Sequence, residues 1–452
     1  MMPTKSIPST RSVFVIAWPL ALKAVMLHGI IVIDAYLVSS LGEEALAAMG
    51  LAGAVASLLL GILFAFSSAT QIRIAQAFGS SGSIALKTGL YCGMIINITA
   101  TAIGLAIVLI IGPEIIVSLA KTPWIAEQAI AYLSVMLFVV LSEAIGQCLS
   151  SHFNGCGNTR ITFLSYLIAL PINIGVSITL IHGLYGFPEF GVVGAAYGTV
   201  LGSIIRLLFL GLFLLRDNGA YLGVRGWSQG SFLAALRRHF VFSWPIAVTF
   251  ISMSVGNQVC MLIYAKMSVN QFAAMTLMMP WVQVAGTFGM SWAQATGICI
   301  AQLLGRGASE PELDQFLSQA WRAAFVAAGL VSATYLAICL SSGWIYDGLK
   351  DETTAALLAF LPILVLLPFP KGSNAICGQT LRASGDTVYV MNIFVSAQWL
   401  FKVPMTALFV LVHGLPVAVV FSLLILEEFF KFPLFHRRLL SGAWKRPTEV
   451  LS

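Results

Sequence analysis

Long runs without a single charged side chain divide this sequence. Residues 45–72, 88–113, 161–188, 267–305, 323–346 and 403–426 contain no Asp, Glu, Lys or Arg, and short polar turns with Gly, Pro, Ser and Asn separate the apolar stretches. About 20 apolar residues in a helix span the hydrocarbon of a bilayer. None of the stretches shows the roughly ten-residue alternating pattern of a membrane β-barrel strand. The pattern predicts an all-α polytopic membrane protein of twelve spans, at 13–38, 45–72, 88–112, 125–151, 160–182, 191–215, 239–265, 271–299, 319–341, 354–379, 388–411 and 415–435. An even number of spans leaves both termini on one side.

Charge then orients the pattern. Of 452 residues 59% are hydrophobic and 9% charged, against about 25% charged in soluble domains. With the termini and alternate loops on one face, that face collects Lys5, Arg11, Arg73, Lys87, Arg160, Arg216, Arg225, Arg237, Arg238, Arg306, Arg322, Arg382, Arg437, Arg438, Lys445 and Arg446. The opposite face holds Lys121, Lys266 and Lys350. Basic loops stay cytoplasmic, so both termini are expected there, in a bacterial inner membrane. The net charge of +6 is a topology signal and calls for no nucleic-acid partner. Residues 1–12 are short and polar with no small-residue cleavage site after them, so no secretory signal is expected. Seven cysteines, an odd number without metal-ligand spacing, read as small buried hydrophobes.

The chain repeats itself. Trp18-Pro19 recurs as Trp244-Pro245, an offset of 226 residues, and Ala47-Ala48-Met49 recurs as Ala273-Ala274-Met275. Thr70 answers Thr296, Ile74-Ala75-Gln76 answers Ile300-Ala301-Gln302, and Gly79 answers Gly305. With a slightly larger offset, GCGNT at 155–159 matches ASGDT at 383–387, and His182-Gly183-Leu184 matches His413-Gly414-Leu415. Six spans per copy give parallel repeats, two six-helix lobes related by a pseudo-twofold axis along the membrane normal. The expected order is a cytoplasmic segment 1–12, an N-lobe 13–215, a basic linker 216–238 with a short interfacial helix at 228–238, a C-lobe 239–435 and a basic tail 436–452. Such halves suit a carrier with its substrate between them.

Few ionisable groups lie at membrane depth, and each costs energy to place there. Asp34 is the lone carboxylate of the first span, three turns from Lys23, so the two share a polar stripe about 16 Å long. His28 points elsewhere and reads as a satisfied interior histidine. Glu143 reads equally as a cavity residue or an interfacial carboxylate. Arg206 and Lys431 have long stems suited to snorkelling towards the interface. Lys371 follows Leu366-Leu-Pro-Phe-Pro370, and Lys402 lies within the eleventh span. No nucleophile elbow, zinc-protease motif or phosphate-binding glycine loop is present, and no soluble domain is large enough to bind ATP. The chain is therefore expected to be neither an enzyme nor an ATP-driven pump.

Three stretches carry a family resemblance. Asp34-Ala-Tyr-Leu-Val-Ser-Ser-Leu-Gly-Glu-Glu-Ala-Leu-Ala-Ala48 resembles the first-helix signature of the multidrug and toxic compound extrusion (MATE) family. Leu381-Arg-Ala-Ser-Gly-Asp-Thr387 resembles its turn between helices ten and eleven, and Gly155-Cys-Gly-Asn-Thr-Arg160 the matching turn of the first half. The resemblance covers residues 11–435. It implies twelve helices around a V-shaped cavity and export of organic cations and drugs in exchange for H⁺ or Na⁺. It implies a cation-coupling site of Asp34, Asn173 in Pro171-Ile-Asn-Ile, and Thr199 in Gly194-Ala-Ala-Tyr-Gly-Thr199. Ser177 stands where many members have a second carboxylate. In the second half Met253 replaces a glutamate of one bacterial branch, and Lys371 aligns with an aspartate.

These readings combine into one expectation: a secondary antiporter, functional as a monomer in the lipid bilayer, exporting amphipathic organic small molecules by alternating access. It needs no cofactor; its coupling ion is H⁺ in preference to Na⁺, with a sodium ion at Asp34 as the only metal considered. Lys23, Tyr36, Met275, Met278, Met279, Trp281, Lys371 and Lys402 are the candidate residues of the substrate cavity, the aromatic and Met side chains through adaptable packing. The alternative is an exporter or flippase of the same fold for an anionic or lipid-linked metabolite, with the three lysines lining a basic cavity.

Overall fold

The computed structural model describes residues 7–341 and 351–445, the side chains at 217–221, 269, 273, 276, 280, 281 and 351–354 excepted. Among the described residues every regular element is helical. The helices are α1 (Thr10–Ser39), α2 (Glu43–Gly79), α3 (Ser83–Leu119), α4 (Pro123–Gly155), α5 (Thr159–His182), α6 (Val192–Leu222), α7 (Phe232–Tyr264), α8 (Val269–Gly305) and α9 (Glu310–Leu340). Three less regular helices follow. α10 runs through Asp351–Ala359, Leu361–Leu366 and Pro368–Ala383, and α11 is Thr387–Val412. α12 consists of Val417–Phe421 and Leu423–Leu440. The twelve spans expected from the apolar runs are these twelve helices. The short separate helix expected at 228–238 does not form: Gly226 and Gly230 have positive φ, and helix resumes only at Phe232 within α7. Residues 224–228 are instead held on α3. Lys87 Nζ donates to the Val224 carbonyl at 2.5 Å and lies 4.2 Å from the Trp227 ring centre, and Ser228 N–H donates to Thr88 Oγ1 at 3.1 Å.

Two helices are broken for local reasons. Pro368 and Pro370 lack the N–H groups that would close the preceding turn, and α10 bends by 44° between its Ala355–Leu366 and Pro368–Ala383 stretches. α11 carries Pro404 and widens into π-helical turns at Ala397–Lys402 and Leu408–Val412.

The chain divides into two compact units, Leu22–Ala247 and Val248–Val450, the latter joined by Met1–Ala21. In the first, small residues bring helices close. Ala45, Ala48, Ala52 and Ala56 of α2 are buried with Ala126 and Ala129 of α4 and Ala195 and Ala196 of α6. In the second, Cys260, Tyr264, Met275, Met278, Phe360, Val420 and Phe421 form the core, with the Phe360 and Phe421 rings stacked at 4.0 Å.

The sequence repeat is also a repeat of backbone hydrogen bonds. After α2, the N–H groups of residues 80, 81 and 82 bond the carbonyls of 76, 78 and 77; after α8, those of 306, 307 and 308 bond 302, 304 and 303. Every pair is displaced by 226. Thr70 and Thr296 each return their hydroxyl to the carbonyl four residues back, at 3.0 and 2.9 Å. The turns 155–159 and 383–387 share their pattern too, with Gly157 at φ 79° and Gly385 at φ 101°, where a side chain would be strained.

Candidate functional site

The site begins with a seam of glycines. Gly194, Gly198 and Gly202 recur every fourth residue on α6 and let it approach α5 closely. A methyl group added at Gly198 would collide with Ser177 Oγ and lie 2.8 Å from the Asn173 carbonyl; one at Gly202 would press on Asn173 Cβ at 3.2 Å. That closeness brings Asn173 and Ser177 beside Thr199. Asn173 Nδ2 donates to Thr199 Oγ1 at 3.1 Å, and Thr199 Oγ1 reaches Asp34 Oδ2 on α1 at 3.2 Å. The same hydroxyl lies 3.2 Å from the Ala195 carbonyl, so its single proton has two acceptors at equal range. Asp34 is 5% exposed, Asn173 3% and Ser177 0%. Asp34 Oδ1, Asn173 Oδ1 and Ser177 Oγ are buried without hydrogen-bond partners, and no cation lies within ion-pair distance of Asp34 among the described residues. The structure thus gathers all four residues carried over from the resemblance.

A second polar cluster in the same unit had no signal in sequence spacing. Arg206 Nη2 and Glu143 Oε2 are 2.5 Å apart and both residues are buried, with Gln147 Nε2 donating to the same oxygen at 2.7 Å. The Arg206 guanidinium lies 4.1 Å from the Tyr166 ring centre, and Lys23 Nζ lies 5.4 Å from it. The expected snorkelling of Arg206 is therefore corrected: its charge turns inward because Glu143 answers it. Glu143 is neither of the two things expected of it but the anion of a buried pair. His28 differs as well. It is exposed, with Nδ1 2.7 Å from the Ala24 carbonyl, and so is satisfied by its own helix rather than by an interior.

The second unit holds a larger network. Lys402 Nζ donates to Asn257 Oδ1 at 3.0 Å and pairs with Glu427 Oε2 at 3.2 Å. Lys431 pairs with Glu427 Oε1 at 3.0 Å and Glu428 Oε1 at 2.9 Å, and Asn374 Nδ2 donates to Glu428 Oε2 at 2.8 Å. Lys431 is only 3% exposed, so the snorkelling expected of it is also corrected. At Cys260, the position displaced by 226 from Asp34, the thiol faces Thr406 Oγ1 at 3.8 Å.

The cavity candidates separate. Met275 and Met278 are 1% and 2% exposed inside the apolar core of their unit and fill it rather than line a cavity, while Met279 is half-buried against that core. The Trp281 side chain lies outside the described residues. Tyr36 is 76% exposed. Of the lysines, Lys402 is tied into its network and Lys23 lies over Tyr166, while Lys371 opens on a crevice between α8, α9 and α10. Among the described residues no three His, Cys, Asp or Glu side chains converge as a metal site.

Comparison with known proteins accounts for this architecture. The family model described as MatE matches residues 19–179 and again 245–408, beginning at the two prolines that mark the repeat. The chain is 21% identical to the uncharacterized transporter YisQ of Bacillus subtilis over 445 residues, covering 97% of this chain and 96% of that one. It is 24% identical to the probable multidrug resistance protein YoeA of the same organism, covering 87% of each. A crystal structure of the eukaryotic MATE transporter AtDTX14 superposes with a TM-score of 0.84 at 17% identity, covering 97% of both chains. The chain belongs to the MATE family of membrane transporters.

Proposed function

We propose that this chain is a secondary antiporter that exports amphipathic organic compounds in exchange for protons, with Asp34 as the coupling carboxylate. The observation that carries this is a buried Asp34 with one hydroxyl donor and no counter-cation among the described residues. A carboxylate ionised in such a place lacks compensation, and taking up a proton removes the charge. The proton's place is Oδ1, the buried oxygen that accepts no hydrogen bond. Thr199 then follows the charge: it donates to ionised Asp34 and turns to the Ala195 carbonyl when the acid is neutral. Asn173 holds the threonine oxygen in both arrangements. Sodium favours several hard oxygens, and with Ser177 in place of a second carboxylate Asp34 is the only anion among the four residues. Protonation lets α1 bend near Pro19 or repack, which releases substrate outward. One proton moving through 100 mV supplies about 2.3 kcal/mol, roughly a fifty-fold gradient. Relatives named as multidrug resistance proteins support drugs as the exported class. Bacterial relatives and the distribution of basic loops support an inner-membrane location with cytoplasmic termini.

The test is ethidium export from proteoliposomes under an imposed pH or sodium gradient. The wild-type protein is expected to respond to the pH gradient, and Asp34→Asn to lose export while keeping its yield and melting temperature. Full export by Asp34→Asn, or export driven by sodium alone, would reject the assignment.

A further inference from the structure

We propose that Lys371 and the crevice around it form a subsite for the anionic group, a carboxylate or phosphate, of an amphipathic substrate. This rests on the reading of the chain as an exporter of amphipathic compounds and names the class it takes. The crevice lies wholly within the Val248–Val450 unit, walled by Gly286, Gly289 and Trp292 of α8, Ala328 of α9, and Pro368 and Gly372 of α10. Its walls are apolar or already committed. Trp292 Nε1 donates to the Ala320 carbonyl at 3.1 Å, and the Tyr335 hydroxyl to the Val282 carbonyl at 3.1 Å. The ammonium of Lys371 is the group left to meet a ligand.

Its freedom follows from its neighbours' pairing. Glu427 gives one oxygen to Lys402 and the other to Lys431; Glu428 gives one to Lys431 and the other to Asn374. Three lysines face two glutamates, and the two glutamates are spent on the other two lysines. Among the described residues Lys371 Nζ has no hydrogen-bond or ion-pair partner. Of the three lysines, Lys371 is the one left without a carboxylate, and it stands at the crevice. Asn374, one turn along α10, also donates to the Glu428 carbonyl at 2.8 Å and so anchors the helix that carries Lys371. Opposite, a Cβ at Gly286 would stand 3.5 Å from Nζ, and the bare backbone there leaves room beside the ammonium. A free ammonium within a membrane protein is costly, and such groups mark substrate paths. An anion brings the missing charge, and the apolar walls take the hydrocarbon beside it.

The probes are 1-pyrenebutyrate and its neutral counterpart 1-pyrenebutanol, which share one apolar body. Both are titrated onto the full-length protein in phosphatidylcholine nanodiscs, with empty nanodiscs subtracted. The wild type is expected to bind the carboxylate at least about tenfold tighter than the alcohol. Lys371→Gln should bind the two alike, and Lys371→Arg should keep the preference. Lys371→Gln should melt no lower than wild type, because the ammonium has no partner to lose; Lys431→Gln, which breaks two ion pairs, should melt lower. Equal binding of both probes by wild type, or a preference that survives Lys371→Gln, overturns the inference. Displacement of pyrenebutyrate by phosphatidylglycerol, without its proton-driven export from proteoliposomes, makes the site a lipid site and overturns the assignment to substrate. Wild-type ethidium export under a pH gradient with no preference for the carboxylate sinks this inference alone. Absence of any export sinks the reading on which it rests.

Discussion

Glu143 and Arg206 show how a charge is settled inside a membrane protein. Each alone would be an expensive buried ion, and together they lie 2.5 Å apart with Gln147 donating to the same carboxylate oxygen. Removing one partner leaves the other stranded, so Glu143→Gln is expected to cost about 3–5 kcal/mol, read as a fall in melting temperature. Replacing both with leucine should recover most of that loss, because a matched apolar pair needs no compensation. Failure of the double variant to melt above Glu143→Gln would show that the pair is not what matters. Asp34 is the opposite case. Among the described residues no cation balances its cost, which suits the proton uptake proposed for it. Asp34 was legible as a single acid in an apolar helix. The fate of Arg206 was not, since 63 residues separate it from Glu143 and only the packing of α4 on α6 joins them.

At the scale of elements, the proposed coupling site depends on how tightly α5 and α6 meet. Gly198→Ala places a methyl against Ser177 Oγ and the Asn173 carbonyl, a backbone atom that cannot easily move. Overpacking of this kind costs about 1–3 kcal/mol, and it should also pull Thr199 away from Asp34. Gly211→Ala, on the same helix with nothing within 4 Å, is the control and should leave melting and export intact. Equal export by both variants would separate the seam from function. Outside the membrane, α9 starts with a cap of its own. The Ser309 N–H and hydroxyl donate to Glu312 Oε2 at 2.8 and 3.1 Å, and Arg306 pairs with Oε1 at 3.0 Å. These bonds, the backbone one foremost, hold the Glu312 carboxyl below its ordinary range. A depressed acid contributes stability that is full above its unfolded value and is lost as pH falls through its folded one. Glu312→Gln should therefore lower melting slightly at pH 7, with the difference from wild type closing as the pH falls below 4. A constant difference across that range would mean the charge is irrelevant. Serine followed three residues later by glutamate is a readable cap signature; the breaks in α10 and α11 are readable only as prolines, since a proline does not say how far the helix will bend.

Across the whole molecule, the chain carries one scaffold twice with different chemistry in each copy. The turns after α2 and α8 repeat bond for bond, yet Asp34 in one copy is Cys260 in the other, and the second copy alone holds the Lys402–Glu427–Lys431–Glu428 network. The sequence by itself determined the twelve helices, the repeat and the resemblance, because apolar length, turn residues and collinear matches are properties of local order along the chain. It also named Asp34, Asn173, Ser177 and Thr199, through motifs that keep their spacing. Tertiary structure alone decided which charges are balanced. Arg206 and Lys431 turn inward, Met275 and Met278 fill a core, and Lys371 has no partner among the described residues, because pairing depends on which helix faces bring an acceptor within about 3 Å, and residues far apart in sequence supply those faces.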